Sequence, residues 1–318
     1  MTTTGRLILG CALSVLSAAL LTLSFAPYDH WWLIGFAMVP MVVAQYRVLP
    51  PAWSAVGPAV GVGGFMFGYF GGLFPTSAAW YMKALPLIVA VVVLVTSRGQ
   101  RAGRDRAGHA LWPLAAATSW VAMELARIFV PVLGTWGFVG YSLYRQAWLI
   151  QPVRIVGIFG LDLLIVVLNY AMAMAVIAGL DRRGTFEAPT AIAPRLAARW
   201  CGGVLAAVLA WGAVDLTLRD HGGPTVRVAV LQPGVRRRDL PGTPDARERS
   251  LLDRLTTQSR EAAARGARLV VWPEGALTVD PATAYVRELG DLARETGAYL
   301  VVGYGIDTPA GFRNEVVT

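Results

Sequence analysis

The sequence predicts a multi-pass α-helical membrane bundle followed by a small α/β domain, and three observations support this fold class. Of the 318 residues, 55% are hydrophobic and 15% are charged, and mean hydropathy is +0.52, whereas soluble domains carry about 25% charged residues. Apolar runs of about 20 residues, the length that crosses a bilayer, recur up to about residue 218. Beyond residue 220 the pattern changes to short strands that alternate with amphipathic helices.

Seven apolar runs are candidate membrane spans. They cover residues 7–26, 31–49, 54–74, 79–97, 110–130, 153–180 and 200–218. The first run ends in a small-x-small sequence at residues 24–26, but Pro27 disfavours cleavage there, so we interpret it as a retained helix rather than a signal peptide. The fourth is the weakest candidate because Lys83 and Pro86 interrupt it.

Arginine placement predicts the orientation of these spans. With the N-terminus in the cytoplasm, the outside loops hold Lys83 and Arg145, with Arg154 at a boundary. The inside segments then hold ten arginines: Arg6, Arg47, Arg98, Arg101, Arg104, Arg106, Arg182, Arg183, Arg195 and Arg199. By the positive-inside rule, this bias predicts a transmembrane domain over 1–219 and places 220–318 on the outer face of the membrane.

Composition and motifs predict neither a cofactor nor a metal. The chain has 27 arginines and one lysine, but no basic stripe, GxGxxG or P-loop pattern that would indicate nucleic-acid or nucleotide binding. His30, His109 and His221 fall in separate loops. Cys11 and Cys201 lie in apolar runs without a CxxC partner, which predicts buried structural thiols.

Glycines in the third span predict close helix packing. Gly57 and Gly61 are four residues apart. Gly64, Gly68 and Gly72 are also spaced at intervals of four residues. Such spacing gives helix faces without side chains, so a neighbouring helix can approach closely. The pattern indicates packing and carries no chemistry.

Strand and helix patterns alternate after residue 220, which predicts an α/β layer with a buried sheet. The predicted elements, in order, are a strand over Val226–Gly234, a helix over Asp245–Arg265, a strand in ARLVVWPEGA, a helix over Pro281–Thr296 capped by Asp280, a strand in AYLVVGYG, and a fourth strand that begins at NEVVT.

Glu274 is the candidate catalytic residue of this domain. It follows the apolar strand Leu269–Trp272, and Pro273 ends that strand by removing a hydrogen-bond donor. Catalytic groups collect at the carboxyl ends of strands in open α/β sheets. We expect a carboxylate beside such a strand to lose hydration and to bind a proton more readily, which suits a general base. The alternative is an exposed loop glutamate with a local capping role.

Longer motifs give a resemblance to a known family. LVVWPEGA, about 40 residues after VRVAVLQPG, resembles the nitrilase superfamily, in which this Glu is the general base of a Glu-Lys-Cys triad. LSFAPYDHWWL, WVAMELAR and GTWGFVGYSLYRQAWLIQPVRIVGIFGLDLLIVVLN resemble apolipoprotein N-acyltransferase, and the similarity extends from about Leu21 to Thr318. The resemblance implies an αββα nitrilase-like sandwich outside the cytoplasmic membrane, carried on a transmembrane bundle.

The resemblance also implies an activity. The family transfers an acyl chain from a phospholipid to the α-amino group of the N-terminal diacylglyceryl-cysteine of a lipoprotein. The reaction is ping-pong through a cysteine thioester, with Glu as proton acceptor and with Lys and backbone donors stabilising the oxyanion. The implied partners are the phospholipid donor, the diacylated apolipoprotein, the membrane and, in actinobacteria, a polyprenol-phosphate mannosyltransferase.

The chain departs from the family pattern at two triad positions. Glu274 is the one member it supplies, because Lys83, Cys11 and Cys201 lie in or beside predicted spans. We therefore expect 220–318 to be the N-terminal part of a truncated nitrilase-like domain in an inactive fragment of a longer enzyme. Two other functions stay open, a membrane-anchored nitrilase-type amidase and a catalytically inactive scaffold. In the loop at 235–240, three adjacent arginines could contact lipid headgroups or be solvated.

Further candidate residues lie in and after the fifth span. Glu124 and Arg127 share one helix face, where they could form an internal pair or act near a lipid-entry cleft. Asp162 in the sixth span has no obvious partner, because Arg154 could reach it only poorly. Trp136 and Tyr141, in the loop GTWGFVGYS, could be interfacial aromatics or could line the acyl-chain path.

Overall fold

The computed structural model describes residues 2–71, 80–129, 134–184, 193–218, 222–309 and 311–318. The chain forms two compact units, Met1–Arg219 and Asp220–Thr318. The first unit is helical and the second holds a small mixed sheet with helices. The predicted fold class is therefore confirmed at the level of a helical part followed by a sheet-containing part.

Helical segments occupy all seven predicted spans. They are α1 (Thr3–Ser24), a composite second segment over residues 31–48 that includes α2 (Val39–Val43), α3 (Val56–Gly71), α4 (Trp80–Thr96), α6 (Trp112–Arg127), α8 (Val153–Arg182) and α9 (Pro194–Leu218). The described part of this unit also contains two short α-helices, α5 (Gln100–Ala107) after α4 and α7 (Ala147–Ile150) before α8, and two 3-10 helices, Pro51–Trp53 and Val139–Leu143.

Within the described residues, five segments are long and apolar enough to cross a membrane. They are Thr3–Ser24, Trp31–Val48, Lys83–Arg106, Val153–Arg182 and Arg195–Leu218. The third and fifth predicted spans are confirmed as helices, but α3 and α6 are described over 16 residues each, fewer than the roughly 20 that a span needs. The last residues of these two predicted spans, 72–74 and 130, lie outside the described residues.

The second segment is not the regular helix that its hydropathy predicts. It passes from a 3-10 helix (Trp31–Gly35) through α2 into a π-helical turn (Ala44–Val48). Asn169 of α8 satisfies the interrupted backbone: its Oδ1 accepts from Met38 N at 2.9 Å and its Nδ2 donates to Ile34 O at 2.9 Å. Irregular backbone at membrane depth needs such internal partners because lipid supplies none.

Successive segments run in alternating directions. Ser17 Oγ on α1 accepts from Met41 N of the second segment at 2.8 Å, and Leu49, just after that segment, lies against Gly10 near the start of α1. A later position on one segment thus meets an earlier position on the other. The first two segments are therefore antiparallel, as two consecutive membrane crossings must be.

The third-span glycines pack as predicted. A Cβ built on Gly64 would lie 2.8 Å from Ala18 Cβ, and one on Gly68 would lie 2.5 Å from Thr22 Oγ1. Both contacts advance together along α1 and α3, so these two helices are parallel. The absent side chains allow the close approach.

Two further glycines of the same helix face the second segment. A Cβ on Gly61 would lie 2.5 Å from Met41 Sδ, and one on Gly57 would lie 3.3 Å from Gln45 N. The fifth glycine of the pattern, Gly72, lies outside the described residues. The glycines of α3 thus allow close approach to two different neighbours, α1 and the second segment.

The second unit is built on a four-stranded sheet with the order β1-β2-β3-β4. Strands β1 (Val228–Val230), β2 (Leu269–Val271) and β3 (Tyr299–Thr308) pair in parallel, and β4 (Gly311–Val317) pairs antiparallel with β3. The fourth strand predicted at NEVVT is confirmed. Parallel pairing puts the carboxyl ends of β1, β2 and β3 at one edge of the sheet. Glu274 is predicted to lie at this edge.

Helices cover one face of this sheet through apolar side chains, whereas Val230 and Tyr299 on the other face are exposed. The prediction of a sheet buried on both faces is therefore wrong. Leu252 and Leu255 of α10 (Pro244–Ala264) and Leu292 of α12 (Val286–Thr296) join the buried core with Val270 and Trp272. The amphipathic pattern of Asp245–Arg265 is confirmed as α10.

The second predicted helix is divided in the structure. The Asp280 side chain accepts from Ala282 N at 2.9 Å, so the predicted cap is confirmed. The helix stops after α11 (Pro281–Ala284), because Tyr285 leaves the helical region at φ −128°, and α12 begins at the next residue. The prediction of one continuous helix over Pro281–Thr296 is therefore wrong.

Candidate functional site

Glu274 lies in a tight turn at the carboxyl end of β2. The turn is anchored before it by Trp272, whose Nε1 donates to Ser259 Oγ at 2.9 Å in the core. It closes when Ala276 N donates to Pro273 O at 3.2 Å. Gly275 has a φ of +59°, a conformation that favours glycine. The motif WPEG therefore encodes a turn that presents one carboxylate at the sheet edge.

The expected loss of hydration at Glu274 was wrong. Its side chain is exposed, because the ladder ends at Val271 and the turn carries the carboxylate away from the apolar strand. Asn314 Nδ2 on β4 donates to Glu274 Oε1. The carboxylate is thus oriented by a neutral amide.

Gly303 on β3 allows the sheet to pass beneath this turn. A Cβ built there would lie 2.5 Å from Pro273 O and 3.1 Å from Glu274 Cα. Both contacts are to backbone, which cannot swing aside as a flexible side chain can. The position of Glu274 therefore depends on a glycine 29 residues later in the chain.

An ion pair between the half-buried Arg237 and the buried Glu248 holds the other side of the turn. Arg237 Nη1 lies 2.9 Å from Glu248 Oε2, and Arg237 Nη2 donates to Ala276 O at 2.8 Å. Glu248 is buried and accepts from Thr278 N at 2.7 Å and from Thr278 Oγ1 at 3.0 Å. We call Arg237, Glu248 and Thr278 the turn clamp.

The turn clamp gives one residue of the triple-arginine loop, Arg237, a structural role. Arg237 is neither a solvated loop residue nor a free headgroup contact, because its guanidinium is engaged by Glu248 and Ala276. Arg238 pairs only loosely with Asp239, at 3.8 Å and in solvent. Adjacent arginines in one loop thus have different roles.

Glu315, a carboxylate on β4, has a pKa that is shifted by its hydrogen-bond partners. Tyr304 donates to Glu315 Oε2 at 2.6 Å, and this hydrogen bond raises the pKa of Tyr304 to about 12. The same bond, with a further one from Arg313 Nε at 2.7 Å, lowers the pKa of Glu315. Glu315 is therefore held ionised one residue away from the amide that contacts Glu274.

In the first unit, Glu124 is buried at 1% exposure near the end of α6. Its Oε1 accepts from Trp120 Nε1 at 2.8 Å, and the carboxyl group of Asp162 on α8 is a close neighbour. Glu124 and Arg127 do not form the predicted ion pair. The partner on its own helix face is Trp120, one turn earlier.

Arg127 packs against an aromatic ring instead. Its guanidinium lies 4.8 Å from the ring centroid of Phe138, a cation–π distance. Its Nε and Nη2 are buried without hydrogen-bond partners. The half-buried guanidinium of Arg127 thus packs on an aromatic face near the buried carboxylate of Glu124.

Asp162 has a partner that its sequence neighbours do not reveal. Its Oδ1 accepts from Gly140 N at 2.6 Å, so it fixes the backbone of the loop that follows α6. Arg154 lies instead 3.9 Å from Asp215 of α9. The buried acid thus ties α8 to the aromatic loop.

Trp136 and Tyr141 lie on this loop, at 50% and 39% exposure. Tyr141 stacks on Phe138 with ring centroids 5.8 Å apart, and Trp136 lies 6.4 Å from Phe70 at the end of α3. Half-exposed rings on an anchored loop can contact an apolar ligand while keeping a fixed position. The structure brings Trp136, Tyr141, Glu124 and Arg127 to one end of the first unit.

Lys83, Cys11 and Cys201 lie on helices of the first unit, α4, α1 and α9. Both cysteines are free and half-buried rather than fully buried as predicted, because α1 and α9 are partly exposed. No group of three His, Cys, Asp or Glu side chains able to hold a metal occurs among the described residues.

Comparison with known proteins matches most of the first unit to a family model. Residues 17–171 match the model of the apolipoprotein N-acyltransferase N-terminal domain. The resemblance predicted from the motifs is thereby confirmed. The match includes Glu124, Arg127, Trp136, Tyr141 and Asp162.

Individual relatives extend the similarity over most of the chain. The apolipoprotein N-acyltransferase of Geobacter metallireducens is 29% identical over 311 residues, 92% of this chain and 56% of that protein. Those of Chromobacterium violaceum and Rhodopseudomonas palustris are each 27% identical, over 98% and 83% of this chain. The chain spans about half the length of these relatives, between 51% and 59%.

Proposed function

We propose that this chain acts in apolipoprotein N-acylation and that Glu274 is the general base of the reaction. The observation that carries the proposal is the Glu274 turn: one exposed carboxylate at the carboxyl end of a parallel strand, oriented by Asn314 and secured by the turn clamp. The family match of residues 17–171 supports the same activity.

In the proposed reaction, a cysteine thiol gives its proton to Glu274 and attacks the ester carbonyl of a phospholipid. The ester C–O bond breaks, a lysophospholipid leaves with a proton, and a thioester remains. The N-terminal amine of a diacylated lipoprotein then attacks the thioester, Glu274 accepts the amine proton, and an amide forms as the thiol is released. Neither Cys11 nor Cys201 suits this role, because both lie on apolar helices of the first unit.

We assign the loop of Trp136 and Tyr141 to the acyl-chain path. Its half-exposed rings offer apolar surface, and the Asp162–Gly140 hydrogen bond holds them in place. Glu124 and Arg127 lie beside this loop, with Arg127 packed on Phe138, and would face the polar part of the donor lipid. The proposed location is the cytoplasmic membrane, with the N-terminus inside and a nitrilase-like second unit outside.

The test is Glu274→Gln in the protein expressed from its own gene, with Glu261→Gln as the matched control. Glu261 is exposed on α10 and lies outside the turn. The assay follows mass gain of a diacylated lipopeptide supplied with phospholipid, and trapping of the thioester. Loss of a general base lowers rates by about 10²–10⁴-fold, so we expect Glu274→Gln to abolish thioester formation and the control to keep it. Acylation at the unaltered rate in Glu274→Gln would overturn the proposal.

A further inference from the structure

Four arginines gather where α1 begins and α8 ends, and we call this the arginine end (Arg6, Arg47, Arg101 and Arg104). Their positions in sequence are widely separated, on α1, the π-helical turn and α5. Arg101 lies within electrostatic range of the other three arginines and of Asp105. Their clustering therefore comes from the fold.

Two of the four are neutralised by carboxylates. Arg47 lies 2.6 Å from Asp181 in a buried pair. Arg104 donates from Nε to Asp105 at 2.9 Å, and its guanidinium lies 4.8 Å from the Tyr46 ring centroid. These contacts account for the charges of Arg47 and Arg104.

Arg6 and Arg101 are oriented but not neutralised. Arg6 Nε donates to Val48 O at 2.8 Å, and Arg101 Nη1 donates to Leu49 O at 2.7 Å. Among the described residues, no carboxylate forms an ion pair with either one. Two half-buried guanidinium groups are therefore held on neighbouring carbonyls, with further N–H groups available for a ligand.

We propose that Arg6 and Arg101 together bind the phosphate group of an anionic phospholipid. Planar guanidinium groups match phosphate oxygens with paired charge-assisted hydrogen bonds. The site lies at the ends of helices long enough to cross a membrane, the depth at which lipid phosphates are found. The positive charge of Arg6 and Arg101, which no ion pair in the described part of the chain offsets, disfavours a zwitterionic headgroup that carries its own ammonium.

This site is separate from the proposed reaction. Trp112, at the start of α6, lies 5.2 Å from the Arg104 guanidinium, whereas Glu124 is 12 residues further along the same helix, about 18 Å away. The lipid bound here would be a resident of the other membrane face and not the acyl donor. Loss of the site would leave the test of Glu274 unaffected.

The experiment measures lipid binding to the detergent-solubilised full chain by native mass spectrometry. The probes are phosphatidylglycerol, phosphatidylcholine and inorganic phosphate. The variant is Arg6→Gln/Arg101→Gln, and the matched control is Arg182→Gln/Arg183→Gln, which removes two exposed charges at the end of α8. We expect the unaltered chain to prefer phosphatidylglycerol, and the variant to bind it at least about tenfold more weakly while the control does not.

Arg6→Lys/Arg101→Lys guards against a folding defect, because lysine keeps the charge and a donor for the carbonyls but lacks the planar fork. We expect intermediate binding from this variant. Equal binding of phosphatidylglycerol by all variants would overturn the proposal. If inorganic phosphate displaces the lipid at equimolar concentration, the site binds free phosphate and the lipid assignment is wrong.

Discussion

At the residue scale, the surroundings of Glu274 depend on side chains far from it in sequence. Arg237 and Glu248 precede it by 37 and 26 residues, and Asn314 follows it by 40. The motif around Glu274 predicted the turn and its place at the end of a strand. It could not predict the exposure of the carboxylate, because that depends on where the ladder with β3 ends.

Arg237→Met should loosen the turn that carries Glu274. The substitution leaves the Glu248 carboxylate buried without its cation, and breaking a buried pair costs about 3 kcal/mol. This loss lowers the free energy of local opening of the turn. The Thr278 amide, which donates to Glu248, should therefore exchange with deuterium about a hundredfold faster. Hydrogen exchange with mass spectrometry of 273–278 is the measurement.

Arg238→Met is the control for this change, since Arg238 makes a single loose and exposed ion pair. In Arg238→Met, residues 273–278 should exchange with deuterium at the same rate as in the unsubstituted protein. Equal exchange in the two variants would mean that Arg237 does not secure the turn.

At the element scale, hydropathy predicted where the helices lie but not how regular they are. The irregular second segment depends on Asn169, which is 131 residues from Met38. No local pattern reveals such a partner. The α3 glycines were predictable because their spacing is itself the packing signal.

Gly63→Ala should destabilise the first unit. A Cβ there would lie 2.6 Å from Ala90 Cβ and 3.4 Å from Pro86 O, and α3 and α4 would have to separate. Overpacking of this kind costs about 1–3 kcal/mol, so the thermal midpoint in detergent should fall by several degrees.

Gly71→Ala provides the comparison within the same helix, because a Cβ there meets no atom of the described residues within 4 Å. Alanine also has a higher helix propensity than glycine by about 1 kcal/mol. We expect its midpoint to be unchanged or raised. A similar fall in both variants would attribute the effect to loss of glycine and not to contact with α4.

At the scale of the whole molecule, the sequence predicted two parts and an alternation of helix directions. The described part confirms a helical unit, a separate mixed-sheet unit and the antiparallel first pair of segments. Arginine counting also predicts an orientation, which contacts within the chain do not reveal because they are the same in either orientation.

The predicted orientation can be measured by cysteine labelling in a background with Cys11→Ser and Cys201→Ser. Thr257→Cys, exposed on α10, should react with a membrane-impermeant maleimide in intact spheroplasts. Arg183→Cys, exposed at the end of α8, should react only after lysis. Reversal of the two patterns would show that the N-terminus lies outside.

The order of strands in the second unit has a consequence for synthesis. Because the sheet order β1-β2-β3-β4 is also the chain order, each strand finds its partner already formed when it leaves the ribosome or the translocation channel. No strand must wait for a later one to be inserted between existing neighbours. The sheet can therefore grow vectorially from β1, which limits the time that an unpaired strand is exposed to aggregation.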